Sequence, residues 1–300
     1  KTYFGLLPFP FLLVIIFMIV AGLYMRYRKP GRDRYAIGSN GHAAELVGIK
    51  VFQRTFLAFV FSGATAGLAG VFYLMRFAQV DATAFYGQEL GVVAAVVIGG
   101  ISINGGIGTP YGAVIGALLV QSIQGGLSAL GVDAFWKQAI NGTLLIIALI
   151  ADRVLARRAE QALLVVLLWV FASLTTKNFI SATNVSQIFS NTSEITIMAF
   201  AVTLLIIAGE IDLSIAANLA LSSSVLGYTY RAGAPIVLSI VIAILVGALC
   251  GAINGFFVTK VKLNSLAVTI ATMALFRGIA NGLVGSKPIS EFPDGWTSFG

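Results

Sequence analysis

The chain has 300 residues, 58% of them hydrophobic and only 10% charged. A soluble domain carries about 25% charge and about 45–50% apolar residues, so this composition cannot cover a water-facing surface and excludes an ordinary soluble enzyme. The net charge of +7 fits either a nucleic-acid partner or the cytoplasmic side of a membrane protein, and the positions of the charges decide between them.

A helix needs about 20 mostly apolar residues to cross a hydrocarbon core about 30 Å thick. In chain order, uncharged windows run over 5–25, 55–75, 88–103, 110–130 and 137–151, then over 162–176, 193–209, 211–229, 235–257 and 264–284. The pattern predicts an all-α, polytopic membrane bundle of about ten transmembrane helices. Windows 88–103 and 137–151 are short, and 193–229 is one apolar stretch interrupted by Glu210 and Asp212. Short or broken helices are tolerated only inside a bundle.

Threading the windows in alternation puts Arg26, Arg28, Lys29, Arg32, Arg34, Lys50, Arg54, Arg153, Arg157, Arg158, Lys260 and Lys262 on one side. The other side receives Lys1, Arg76, Lys137, Lys177, Arg231 and Lys287. The richer side is cytoplasmic by the positive-inside rule, so the basic excess reads as orientation rather than nucleic-acid binding. No charged n-region with a short apolar core and cleavage site opens the chain, and Lys1 stands first, so the sequence reads as a fragment or processed segment.

Residues 26–54 form the one long hydrophilic stretch. Asn40 can cap a short helix beginning near Gly41, with Ala43, Ala44 and Leu46 as small and apolar contacts and Gly48 as its end. This pattern reads as a docking helix, with His42 as a surface residue of the segment. Glycines recur four apart at Gly63 and Gly67, Gly112 and Gly116, Gly247, Gly251 and Gly255, and Gly278 and Gly282. Four residues is just over one helical turn, so each set clears a stripe for a neighbouring backbone, and packing is preferred over a transport role.

Ionisable groups at membrane depth usually face a cavity or a partner. Glu194, Glu210, Asp212 and Arg277 are the candidates. Glu210 and Asp212 follow Gly209 and suit the start of the next helix, where negative charge meets the positive dipole end; this role is favoured over direct solute contact. Arg277 is expected to pair with one of the acids or to snorkel to the interface. Lone Cys250 and lone His42 provide neither a disulfide framework nor a metal cage, so no metal or cofactor is expected. The stretch Gly99, Gly100, Gly105, Gly106, Gly108 and Thr109 has no lysine to reach a phosphate and reads as a turn between helices. No serine, histidine and acid set and no H-E-x-x-H suggests hydrolysis.

Four motifs carry a family resemblance. They are Gly31-Arg32-x-x-Tyr35-Ala36-Ile37-Gly38-x-Asn40-x-x-Ala43-Ala44-x-x-x-Gly48-Ile49; Val96-Val97-Ile98-Gly99-Gly100 with Gly105-Gly106-x-Gly108-Thr109-x-x-Gly112; Gly209-Glu210-Ile211-Asp212-Leu213-Ser214; and Asn254-Gly255 with Thr269-x-x-Thr272 and Arg277-Gly278. Over nearly the whole chain these resemble the membrane permease subunits of bacterial ABC importers for monosaccharides, the ribose, xylose, arabinose and rhamnose group. Glu210 stands where that family usually has glycine, and Gly41-His42 replaces an acidic pair often found there.

The resemblance implies a non-enzymatic, multi-pass inner-membrane subunit that moves a monosaccharide inward. Its implied partners are an ATP-binding cassette subunit, an external or periplasmic sugar-binding protein and a second permease subunit, with the translocation cavity between two bundles. Tyr35, Gly38, Asn40, Ala43, Ala44, Gly48 and Ile49 would dock the ATP-binding subunit; Glu210, Asp212, Ser214, Asn254 and Arg277 would line the path. Gly99, Gly100, Gly105, Gly106, Gly108, Gly247, Gly251 and Gly255 would serve packing.

Motif order is reversed relative to the family. Residues 1–158 resemble a permease's C-terminal half and residues 159–300 an N-terminal half, as expected of a window across two fused permeases or of a circular permutation. Within the ABC class a branched-chain amino-acid permease is the alternative. Outside it, the acids raise a proton-coupled secondary transporter.

Overall fold

The computed structural model describes residues 2–3, 7–133, 136, 139–140, 142–147, 150, 159–176, 179–285, 289–290 and 292–297. A two-residue antiparallel pair, β1 (Thr2–Tyr3) and β2 (Leu7–Pro8), precedes helices throughout. In chain order these are α1 (Phe9–Tyr27), α2 (Lys29–Ser39), α3 (Gly41–Leu46), α4 (Val51–Phe77), α5 (Glu89–Ile98) and α6 (Pro110–Ala129). Then come α7 (Ala159–Thr175), α8 (Ala182–Ile207), α9 (Ile215–Arg231), α10 (Ile236–Thr259), α11 (Ser265–Val284) and α12 (Asp294–Thr297). Except for 137–151, which falls partly outside the described residues, each apolar window holds a helix.

Local chemistry sets many boundaries. Pro110 opens α6 behind Thr109, whose hydroxyl accepts the Gly112 N–H at 3.3 Å, so fixed φ and side-chain capping act together. Ser181 caps α8 through the Asn184 N–H at 3.3 Å. Asn264 caps α11 through the N–H groups of Leu266 and Ala267, at 3.0 and 3.3 Å.

Among the described residues, six helices are long and apolar enough to cross a membrane: α1, α4, α6, α8, α10 and α11. This is fewer than the apolar windows because α5, the Val165–Thr175 part of α7 and the 17-residue α9 are shorter, and 137–151 falls partly outside the described residues. The ten residues of α5 reach only about 15 Å at 1.5 Å per residue, half a bilayer. That length is tolerated because α5 is almost wholly buried against α6 and α8. The expected break in 193–229 occurs over 208–214, between α8 and α9.

Helix α8 is the axis of the bundle, packing on α1, α4, α5 and α6. Helix α10 lies on the outside, presenting Val237, Leu238, Val241, Leu245 and Leu249 to lipid. Lipid tails are as apolar as leucine, so helices associate here through close backbone packing rather than burial from water. The α4–α10 seam shows this: a Cβ on Gly63 would strike the Gly247 carbonyl, and one on Gly251 the Phe59 carbonyl. Gly255 joins the seam against Phe56 and Phe59, and on another seam Gly99 and Gly112 oppose each other's carbonyls. Gly278 and Gly282 depart from the expected pattern. They meet nothing within 4 Å, because they lie on the outward face of α11.

Candidate functional site

The hydrophilic segment 26–54, expected on the cytoplasmic side, folds as two helices rather than one. Helix α2 is tied to the first turn of α4 by Asp33, whose Oδ2 accepts from Arg54 Nε at 2.8 Å. After it, Asn40 caps α3 by accepting the Ala43 N–H at 2.9 Å, and Gly48 ends that turn at φ +83°, as the sequence suggested.

The end of α2 then meets two interrupted membrane elements. A Cβ on Gly38 would collide with the Ile207 carbonyl, at the C-terminus of α8, and with the Gly106 nitrogen. The Gly106 N–H donates to that same Ile207 carbonyl at 2.9 Å, satisfying a helix-end acceptor, and Gly105 and Gly106 take φ of +84° and +73° to make the approach. Tyr35 Oη donates to the Gly108 carbonyl at 3.0 Å. Thus α2, the 99–109 turn and the α8–α9 break form one backbone-to-backbone hub.

The docking candidates divide around this hub. Tyr35, Gly38 and Ile49 point toward the bundle, and Ala44 is buried against Ile37 and Ala208, so Ala44 seats α3 instead of facing a partner. Ala43 faces out. Leu46 and Val47, 76% and 77% exposed, supply the apolar outward face. Val47 was not among the sequence candidates; its signal was an apolar pair inside a hydrophilic segment.

Three path candidates, Asp212, Ser214 and Asn254, meet deep in the bundle. Asp212 Oδ1 accepts from the N–H and Oγ of Ser214, at 2.9 and 2.6 Å, and Oδ2 accepts from Ser62 Oγ of α4 at 3.3 Å. Asn254 Nδ2 donates to Ser214 Oγ at 2.8 Å. The cluster pins the entry of α9 to α4 and α10, in keeping with the helix-start role expected of Asp212. Glu210 lies apart at the hub, half-buried; burial pushes its carboxyl above the usual range, and a hydrogen bond with the Ser265 hydroxyl opposes the shift.

Arg277 departs from expectation. Its partner is none of Glu194, Glu210 or Asp212 but Glu89 at the start of α5, with Nη2 3.4 Å from Oε1. Nη1 also donates to the Ala82 and Ala84 carbonyls at 3.0 and 2.6 Å, which holds the 78–88 segment over the outer end of the bundle. A cavity of about 500 Å³ lies against this pair, lined by Tyr86, Glu89, Leu213, Ile270, Met273 and Arg277 among others. Glu89 and Tyr86 were not legible as site residues, since the acid opens a short apolar helix and its partner lies far along the chain.

A second cavity at this end, of about 430 Å³, is lined by polar and apolar groups in similar measure: Asp81, Gln88, Gln121, Gln124, Asn191 and Glu194 share it with Tyr73, Phe77, Phe85 and Tyr86. Glu194 sits 3.9 Å from Arg76. Among the described residues no cluster of three or more His, Cys, Asp or Glu could hold a metal.

Residues 2–149 and 184–298 match the family described as "Branched-chain amino acid transport system / permease component". The chain belongs to this family. Its relatives within the permease group include a probable ABC transporter permease of Sinorhizobium fredii, 37% identical over 142 residues, 47% of this chain and 43% of the relative. A xylose transport system permease of Haemophilus influenzae is 37% identical over 146 residues, 49% of this chain and 39% of the relative. A ribose import permease of Bacillus subtilis is 34% identical over 153 residues, 51% of this chain and 48% of the relative. The chain thus matches about half the length of these curated relatives. No solved structure gives a significant match. Membership of this permease family and the membrane-length helices make the chain a multi-pass protein of the inner membrane.

Proposed function

We propose that the chain is the translocation subunit of an ABC importer that moves a monosaccharide into the cytoplasm. An ATP-binding subunit would dock on α3, and a solute-binding protein would deliver the sugar at the outer end. The observation that carries this reading is the hub. A nucleotide-driven push on α3 passes to α2 through Ala44 and Ile37, and α2 meets the α8–α9 break and the 99–109 turn backbone to backbone at Gly38, Ile207 and Gly106. Relatives named for xylose and ribose favour a sugar. The family description favours testing branched-chain amino acids beside it.

Two bundles would enclose the path. The outward face of α11, with Gly278 and Gly282 open and the Arg277 cavity beside it, is the surface for the second subunit. The reversed order of halves, 1–158 before 159–300, is supported by the two separate matched blocks and by relatives that each align over about half of the chain. A collinear relative can follow only one half of a permuted chain. The tight α4–α10 seam joins the two halves into one bundle.

The test is reconstitution with the cognate ATP-binding subunit and solute-binding protein. ATP-driven uptake of labelled xylose, ribose or arabinose is expected, unaffected by an uncoupler at constant ATP. Uptake of leucine alone would move the substrate class to amino acids, and collapse with the uncoupler would indicate proton coupling. A gene encoding 159–300 followed by 1–158 is expected to retain uptake.

A further inference from the structure

On the cytoplasmic side, apart from the proposed path, lies a third cavity, of about 510 Å³, between α1, α4 and α8. Its walls are almost entirely apolar, built from Phe17, Val20, Leu57, Phe61 and Phe200, and one end is closed by Arg34 and Arg54. Val20 and Leu57, 60% and 50% exposed on the two walls, open it sideways to the bilayer.

The charge at its end is only partly compensated. Arg34 is 95% buried (5% exposed), and its Nε and Nη1 have no hydrogen-bond partner among the described residues. Asp33, the adjacent acid, is engaged by Arg54. Tyr24, its ring 5.8 Å from the Arg34 guanidinium and its hydroxyl hydrogen-bonded to it, and the nearby Asp33 carboxylate favour the charged form, but Nε and Nη1 stay idle. A buried guanidinium with idle donors is costly, and burial lowers its pKa accordingly. A phosphate matches the planar donor fork and removes that cost.

We infer that this groove binds one anionic phospholipid of the cytoplasmic leaflet, its phosphate on Arg34 and Arg54 and an acyl chain between α1 and α4. The apolar walls favour a lipid over free phosphate, and the lateral opening at hydrocarbon depth favours it over a soluble partner. Exposed Arg26, Arg28, Lys29 and Arg32 surround the charged end and add to the local attraction for anionic headgroups. The site joins α1, α2 and α4, so an occupied groove stiffens the base of the docking helices.

The experiment uses the full chain purified in detergent and washed free of lipid. Dioleoyl phosphatidylglycerol, dioleoyl phosphatidylcholine or inorganic phosphate is added, and bound mass and unfolding temperature are read. Phosphatidylglycerol alone is expected to remain bound and raise the unfolding temperature. Arg34→Gln is expected to weaken it by about tenfold or more, as loss of a charge-assisted hydrogen bond does, whereas Arg231→Gln, an exposed arginine at the far end of α9, leaves it unchanged. Ala64→Phe, which fills the groove and keeps both arginines, gives a second route to lost binding if Arg34→Gln does not fold. Equal retention of phosphatidylcholine, an equal response to phosphate, release of lipid on self-association, or full binding in a folded Arg34→Gln or Ala64→Phe variant would each overturn the assignment.

Discussion

The two ends of the bundle are built from different materials. At the inner end, the one expected to face the cytoplasm, α2, the 99–109 turn and the α8–α9 break touch through backbone at Gly38, Gly106 and Ile207, and a carbon added to either glycine has no room. At the opposite end, the one expected to be outer, contact is made by long charged side chains, Arg277 to Glu89 and Arg76 to Glu194, beside cavities of about 500 and 430 Å³. There Arg277 Nε and Arg76 Nη1 lack hydrogen-bond partners among the described residues. A backbone contact transmits displacement without slack. Side-chain pairs beside open cavities can exchange partners with a solute that enters them. The contrast is between a stiff backbone contact and side-chain pairs beside cavities, which under the proposed function are the transmitter and the mouth.

The largest effect is expected at the outer end. Arg277→Ala leaves Glu89 buried and unpaired and should destabilise the protein by about 3–5 kcal/mol in denaturant unfolding in detergent. Adding Glu89→Leu should recover much of that stability but not uptake. If the double variant transports normally, the mouth does not need the pair. Next, Gly38→Val forces its branched side chain into the Ile207 carbonyl and should cost about 1–3 kcal/mol, with uptake lost more severely than stability. Unaltered uptake would break the stiff half of the comparison.

Smaller effects sharpen the same division. Asn40→Ala removes the α3 cap and should cost about 1 kcal/mol, with weaker retention of the ATP-binding subunit in co-purification. Leu46→Asp, on an exposed face, should change stability by less than about 0.5 kcal/mol yet abolish that retention. Retention by Leu46→Asp but loss in Ala44→Arg would show that the seat of α3, not its outward face, governs docking. Gly282→Ala should leave the fold unchanged within about 0.5 kcal/mol, because a Cβ there meets open space.

Much of the inner end was legible beforehand. Asn40 as a cap, Gly48 as a stop, the glycine turn at 99–109 and the break after Gly209 all rest on chemistry that acts within a few residues. The outer end was not. Arg277 and Glu89 are separated by 188 positions, and nothing local prefers Glu89 over the acids first considered for Arg277. Ala44 illustrates the intermediate case: the docking segment was visible, but which side of a six-residue helix faces the bundle depends on where Ile37 and Ala208 lie.

By itself the sequence determined that the chain crosses a membrane, where its basic segment lies along the chain, where most helices start and stop, and which permease group its motifs resemble. Hydropathy, charge placement and capping are properties of short stretches of chain, so they survive without a fold. Only the tertiary structure decided which charges pair, which glycines bury another helix and which face open space, and that Arg34 is buried with two idle donors beside an apolar groove. Those outcomes follow from packing in a medium that gives helices no hydrophobic reason to associate, where each polar group must find its partner wherever close backbone contact brings one.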